Sequence, residues 1–308
     1  MGALADLIAT AFAEQLDRTG RQMVGGMRLL SRLGWLGWLL GRWLLPPAAN
    51  PVGFVWEQDG RIVGNASLMP VRNYGQRWVM ANVAVHPEYR RRGIANQLVH
   101  ASIDAVRERG ARELILQVDR GNEVARAMYQ HFGFRLLSDR TTWYRQRGLQ
   151  AVPAPSSVHV GPREPGEWHA QYALARRVYP EGLIWPFPTV PSLFRPAGAS
   201  WFNGRSRSHW LWRANGRVEG SLSLRPGVEP GLQRILLIVD SEVSELAEPA
   251  LLDCACSRPM SRYSAFVLDY KTGAAEDALR IRGFEPRRQL LWMGLDLHTN
   301  PTRREDQA

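Results

Sequence analysis

At 308 residues the chain is about twice a typical domain length, so two globular units are the starting expectation. Apolar residues make up 45% and charged residues 22%, which excludes long disordered spans. The net charge of +10 comes from 39 basic residues among which Lys271 is the only lysine, and the arginines are spread through both halves. That dispersion argues against a nucleic-acid partner, which needs a concentrated basic face.

Met1 to Phe12 carries no basic residue ahead of its apolar ones, so no secretory signal is expected and the cytoplasm is the default compartment. Helix is expected from Ala5 to about Leu45, with a break at Gly25 and Gly26. Inside it, the charge-free core of Met27 to Pro47 runs only from Leu33 to Gly41, well short of the roughly 20 apolar residues that span a bilayer. Leu29, Leu33, Leu36, Leu40 and Leu44 share one helical face, which suits packing on a sheet. The neighbouring Trp35, Trp38, Arg32 and Arg42 also suit a membrane-surface or partner-binding helix through Met27 to Leu45.

Strands at Phe54 to Gln58 and Arg61 to Met69 flank Asp59 and Gly60, a hairpin turn. A third strand fits Arg77 to Val85. Helix follows from about Gly93 to Arg109, strand from Glu113 to Val118, helix from about Asn122 to Phe132, and strand at Thr141 to Gln146, with Gly110 and Gly133 closing the helices. Val152 to Gly166 is dense in proline and glycine and reads as a linker holding one strand at Val158 to Val160.

The second half repeats the first. FVWEQDGRIVGNASLMP from Phe54 aligns without gaps on WLWRANGRVEGSLSLRP from Trp210, and QVDRGNEVARAMYQHFGF from Gln117 aligns on VLDYKTGAAEDALRIRGF from Val267. The expected organisation is therefore a domain at 1–148, a linker at 149–165, a second domain at 166–298 and a disordered tail at 299–308. Each copy mixes a hairpin, a helical crossover and further strands, an α+β pattern with a mixed, mostly antiparallel sheet flanked by helices. Cys254 and Cys256 lie too close for an ordinary disulfide and have no partners for a zinc site, so no metal is expected and the pair reads as structural.

The chemistry concentrates in ANVAVHPEYRRRGIANQLVH, Ala81 to His100. The chain leaves a strand, turns at His86 and Pro87, and enters a helix near Gly93, so the amides of Arg91, Arg92, Gly93, Ile94 and Ala95 point outward at a positive helix end. Such an end binds anions; Gly93 and Ala95 remove bulk there, and Arg90, Arg91 and Arg92 add charge-assisted bonds. Arginines before a helix are also often merely solvated.

The order strand, VAVHPEYRRRGIA, helix, LILQV, Asn122, Ala125, Tyr129 and FGF at Phe132 to Phe134 resembles the GNAT superfamily of acyl-CoA-dependent N-acyltransferases. The match runs from Phe54 to Tyr144, with [RQ]xxGx[GA] met by Arg90, Gly93 and Ala95. The resemblance implies two tandem GNAT-like domains, acetyl-CoA as co-substrate, and a primary amine on a small molecule or peptide as acceptor, in a monomer or homodimer. It places pantetheine along the backbone of Val83, Ala84 and Val85, the pyrophosphate on Arg91 to Ala95, and Tyr129 as the proton donor to the leaving thiolate. Tyr129 also fits a plain core position, and Asn122 fits either a cofactor bond or a helix cap.

Two departures stand out. Many relatives carry a glutamate base where this chain has Asn82, so an ordered water, Glu57, Asp119 or His86 must substitute, or the protein binds acyl-CoA without catalysis. Relatives also open with a strand before the first helix, whereas Met1 leads almost straight into helix; that strand comes from the second copy or lies upstream. In the second copy Asn122 becomes Thr272 and Tyr129 becomes Leu279, and Asp240, Glu242, Glu245 and Glu248 stand where the anion loop would be. That copy reads as degenerate.

Overall fold

The computed structural model describes residues 2–11, 52–71, 76–150, 152–153, 157–180, 182–184, 187–196, 208–227 and 229–298. The expected helix at Met27 to Leu45 and the tail lie outside the described residues. No described helix is long and apolar enough to cross a membrane.

In chain order the first half forms α1 (Gly2–Ala11), β1 (Val52–Gln58), β2 (Arg61–Pro70), β3 (Arg77–Val85), α2 (Ile94–Glu108), β4 (Glu113–Asp119), α3 (Glu123–His131) and β5 (Arg135–Arg145). β5 begins six residues before the expected Thr141. The second half forms β6 (Val160–Pro162), α4 (Trp168–Val178), β7 (Leu183–Ile184), β8 (Phe187–Pro188), α5 (Pro191–Phe194), β9 (Ser208–Ala214), β10 (Arg217–Pro226), β11 (Leu232–Val239), α6 (Ser244–Cys256), β12 (Ala265–Lys271), α7 (Glu276–Ile281) and β13 (Phe284–Asp296).

The repeat survives in backbone detail. Asp59 and Gly60 have φ of 52° and 71°, and Asn215 and Gly216 have 53° and 72°. Two consecutive positive φ values make a type I′ turn, whose twist matches the strands it joins. Both hairpins bulge at the same place: Val63 is skipped between the pairs Trp56↔Gly64 and Glu57↔Ile62, and Glu219 between Val218↔Arg213 and Gly220↔Trp212. The next residue in each copy is a glycine because a helix crosses there. A Cβ on Gly64 would stand 2.9 Å from Ile94 and 3.0 Å from Leu98, and one on Gly220 3.0 Å from Leu251.

Packing groups the residues into two compact units that differ from the expected split at 148: Met1–Ser138 with Leu291–Ala308, and Asp139–Leu290. In unit 1 the strand order runs β1-β2-β3-β4 and then the last part of β13. Leu291, Met293 and Leu297 join Leu68, Val99, Leu114 and Phe134 in its core. In unit 2, β5 from Asp139 onward pairs antiparallel with β12, and Trp143 sits in the core with Leu237, Leu251 and Phe266. Each unit is therefore closed by the strand that sequence order assigns to the other copy. Cys254 and Cys256 are buried free thiols, and burial pushes them up to about 12 and about 11, which makes them inert packing residues.

α2 shows why these helices form. Ile94, Leu98, Val99, Ser102, Ile103, Ala105 and Val106 are its buried residues, a stripe at helical spacing. Burying each large aliphatic side chain of that stripe stabilises by about 1.5–3 kcal/mol. The stripe seats α2 on the sheet, so the helix start is fixed beside the end of β3.

Candidate active site

β3 and β4 are parallel neighbours only from Arg77↔Glu113 to Met80↔Leu116. Beyond Met80 β3 bulges. Asn65 pairs with Ala84 and Ser67 with Ala81, so Asn82 and Val83 together oppose Ala66. Asn82 takes φ 53°, a left-handed conformation that asparagine accepts more readily than most residues. Buried Asn65 fixes the bulge: its Nδ2 donates to the Asn82 carbonyl at 2.8 Å and to Ser67 Oγ at 3.2 Å. The wedge between β3 and β4 thus follows from a buried amide on β2.

The His86 amide donates to Val63 at 2.8 Å, so strand alternation turns the polar groups of Ala84 toward β2 and those of Val83 and Val85 toward the wedge. Ala84, expected as a third backbone contact, is paired within the sheet. A turn at Pro87–Tyr89 then leads to Arg91 at φ 62° and Gly93 at φ 77°. α2 starts without a side-chain cap, and Gln97 N to Gly93 O at 3.1 Å closes its first turn. The amides of Ile94, Ala95 and Asn96 therefore precede the first donor of the helix and point out of its positive end. Among the described residues a Cβ on Gly93 would meet nothing within 4 Å, so none of them fills the space beside this glycine.

The three arginines play different parts. Arg90, though exposed, serves the chain's own backbone, its Nε donating to the Val85 carbonyl and its Nη2 to the Ala11 carbonyl, each at 3.3 Å. Arg92 folds back, donating to the Glu88 carbonyl at 3.1 Å with its guanidinium 5.0 Å from the Tyr89 ring centroid. Arg91 has no partner among the described residues.

Asn122 caps α3: its Oδ1 accepts from Ala125 N at 3.1 Å. Of the two roles open to it in the sequence, the structure shows the cap. Tyr129 lies on α3, 6% exposed, its ring edge-on to Phe134 at 5.7 Å between centroids. Burial raises its phenol far above the ordinary value. Burial thus widens the gap between this phenol and a thiol near about 8.5. Of the substitute bases, Asp119 accepts from Gly121 N at 2.9 Å, and His86 Nδ1 is buried without a hydrogen bond, 3.9 Å from Glu88. Glu57 stands beside the β1–β2 bulge.

The acetyltransferase (GNAT) family pattern matches residues 30–134. That match takes in the bulge, the anion loop and Tyr129, about a third of the chain. A Bacillus subtilis relative, described as "Putative [ribosomal protein bS18]-alanine N-acetyltransferase", is 30% identical over 98 residues, which are 32% of this chain and 63% of that protein. An Escherichia coli K12 protein, described as "[Ribosomal protein bS18]-alanine N-acetyltransferase", is 36% identical over 93 residues, 30% of this chain and 61% of its own length. The chain thus spans less than two thirds of these relatives. A solved GNAT structure from Sphaerobacter thermophilus superposes with TM-score 0.63 at 17% identity, covering 96% of this chain and 92% of the other. A tandem GNAT protein of clavulanic acid biosynthesis gives 0.52 at 20%, covering 97% and 95%. Both show the fold, two GNAT-like halves in one chain.

The second copy keeps the wedge but not the residues at the places of Asn122 and Tyr129. β11 and β12 pair in parallel from Leu232↔Ala265 to Ile235↔Leu268 and then part. Leu279, fully buried, replaces Tyr129, and Thr272 bonds Asp139 Oδ1 at 2.8 Å instead of capping α7. The expected run of four carboxylates is not one acidic face. Asp240 pairs with Arg177 at 2.9 Å, Glu242 lies 3.8 Å from Arg217, and Glu248 is buried against Tyr270.

Proposed function

We propose that unit 1 transfers an acetyl group from acetyl-CoA to a primary amine. The observation that carries this reading is the open, glycine-led start of α2 beside a wedge into which Val83 and Val85 turn their backbone polar groups. Acetyl-CoA, when bound, supplies the activated thioester. Val83 and Val85 would align its pantetheine arm as an added strand, and the amides of Ile94 and Ala95 with those of Arg91, Arg92 and Gly93 would hold its pyrophosphate. Arg91, without a partner among the described residues, is the side chain left to add charge, whereas Arg90 shapes the site by holding the Val85 carbonyl. Tyr129 would keep a proton at its hydroxyl for the departing sulfur. Its burial holds that proton firmly through neutral pH and makes it a weaker donor than a free phenol. The bS18-alanine relatives add a protein α-amine to the acceptors worth testing beside small amines.

A second reading, acyl-CoA binding without turnover, is favoured by Asn82: no carboxylate stands there, and its carbonyl is tied to Asn65. Incubating the full chain with acetyl-CoA and an amine and N-terminal peptide panel separates the two. Thiol release that falls by about 10²-fold or more in Tyr129→Phe, with CoA affinity unchanged, is expected. Tight CoA binding with no thiol release for any acceptor supports the second reading.

A further inference from the structure

The second copy's wedge is a cleft of about 300 Å³ lined by Ser241, Ser244, Glu245, Glu248, Tyr270 and Lys271, with Val239 and the turn from Gly273 to Ala275 completing it. Nothing in the proposed reaction uses it. Its lining is unusual for this chain, which has arginine at every basic position except one, and that one, Lys271, is here. Among the described residues Lys271 makes no ion pair; its Nζ lies 5.3 Å from the centroid of the buried Tyr179 ring, whose hydroxyl accepts from Arg140 at 3.2 Å. A single unpaired ammonium therefore stands on one wall.

α6 supplies the opposite chemistry. It starts at Ser244 with no side-chain cap, so its first amides present a positive end at the cleft. One turn along, Glu248 is 6% exposed; its Oε1 accepts from Tyr270 at 2.6 Å, and its Oε2 forms no hydrogen bond among the described residues. Glu245 stands between them on the rim and is exposed. The helical rise puts Ser244 and Glu248 about 6 Å apart along the axis. That is the distance over which one small molecule can touch an anion site at one end and a carboxylate at the other.

We propose that this cleft binds a small zwitterion of the α-amino-acid type. The carboxylate is held by Lys271, the α6 amides and the Ser241 hydroxyl, while Ser244 Oγ donates to the Ser241 carbonyl at 3.0 Å. The ammonium is held by Glu245 and the free oxygen of Glu248. A simple cation meets Lys271 unshielded, a simple anion meets the two carboxyls, and the pyrophosphate of CoA is repelled by Glu242, Glu245 and Glu248; only a molecule carrying both charges satisfies both walls.

Saturation-transfer NMR on the full chain tests this with L-valine, isobutylamine and isovalerate, which share a four-carbon branched unit and differ in the charged groups it carries. Transfer to L-valine is expected, with the other two about tenfold weaker, the loss of one charge-assisted contact. Lys271→Met, a change at an exposed side chain, and the double variant Glu245→Gln with Glu248→Gln should each remove the L-valine signal while saturating CoA leaves it. Equal transfer to isobutylamine, no transfer to any probe, or an L-valine signal that survives Lys271→Met would overturn the assignment. The last outcome would also mark binding elsewhere, as at the proposed acceptor site of unit 1.

Discussion

At Gly93 and Arg92 two accounts of the anion loop make opposite forecasts. Gly93 has φ 77° and open space where a Cβ would stand, so the cost of a side chain falls on the backbone and on whatever approaches the helix end. Gly93→Glu adds about 1–2 kcal/mol of left-handed strain and places a carboxylate over the amides, so CoA binding should vanish in isothermal titration. Arg92→Ala should weaken it only about threefold, because Arg92 already serves Glu88 and Tyr89 and offers the ligand little more than diffuse charge. The loop and the helix start behind it were legible in the sequence. The sequence could not rank the three arginines, because whether each finds a partner, as Arg90 does in Val85 and Ala11 and Arg92 in Glu88, is set by how the chain folds back. Glu248 gives a residue-scale forecast with a definite sign. Burial raises its carboxyl above the ordinary 4.5, opposed by the Tyr270 hydrogen bond and by Lys271. A raised acid favours the folded state most below its unfolded pKa, and that advantage is lost as pH rises through the folded value. Glu248→Gln cannot ionise and keeps an acceptor for Tyr270. Its melting temperature relative to the parent should therefore climb as pH rises from below the ordinary carboxylate range through the raised folded value.

Among the elements, β3 was legible to the residue, Arg77 to Val85. Its bulge was not legible. Two residues opposing one is a property of a pair of strands, and the amide that fixes it, Asn65, is 17 positions away. Asn82 looked like a lost base; in the structure it is the left-handed residue of the bulge, which asparagine suits for conformational reasons. Asn65→Ala removes both bonds and leaves the Asn82 carbonyl without its donor, at a cost of about 1–3 kcal/mol for a buried group. Because the bulge also aims Val83 and Val85, CoA affinity should drop by at least about tenfold in variants still fully folded by circular dichroism, whereas Asn65→Ser should recover neither. An unchanged affinity with lowered stability would detach the bulge from the binding site.

For the whole molecule, the repeat was visible in the sequence and the exchange of closing strands was not. TTWYRQ from Thr141 and LLWMGL from Leu290 carry the same pattern around Trp143 and Trp292, each only 1% exposed, so either strand satisfies either sheet on sequence grounds alone. The choice rests on long-range pairing, to which a local pattern is blind. It has a consequence for dissecting the protein. A chain ending at residue 148, the boundary that sequence order suggests, retains Tyr129 and the anion loop but lacks Leu291, Met293 and Leu297, which are 6%, 2% and 7% exposed in the core of unit 1. Losing one such side chain costs about 2–5 kcal/mol, and a domain's total stability is about 5–15 kcal/mol. Removing three with their strand leaves unit 1 no margin. The truncated chain should show no cooperative melt and no CoA binding, and a peptide covering residues 289–298 added in trans should restore part of both. A stable, CoA-binding fragment that ignores the peptide would show that unit 1 closes its sheet without β13, with β5 the strand free to do so.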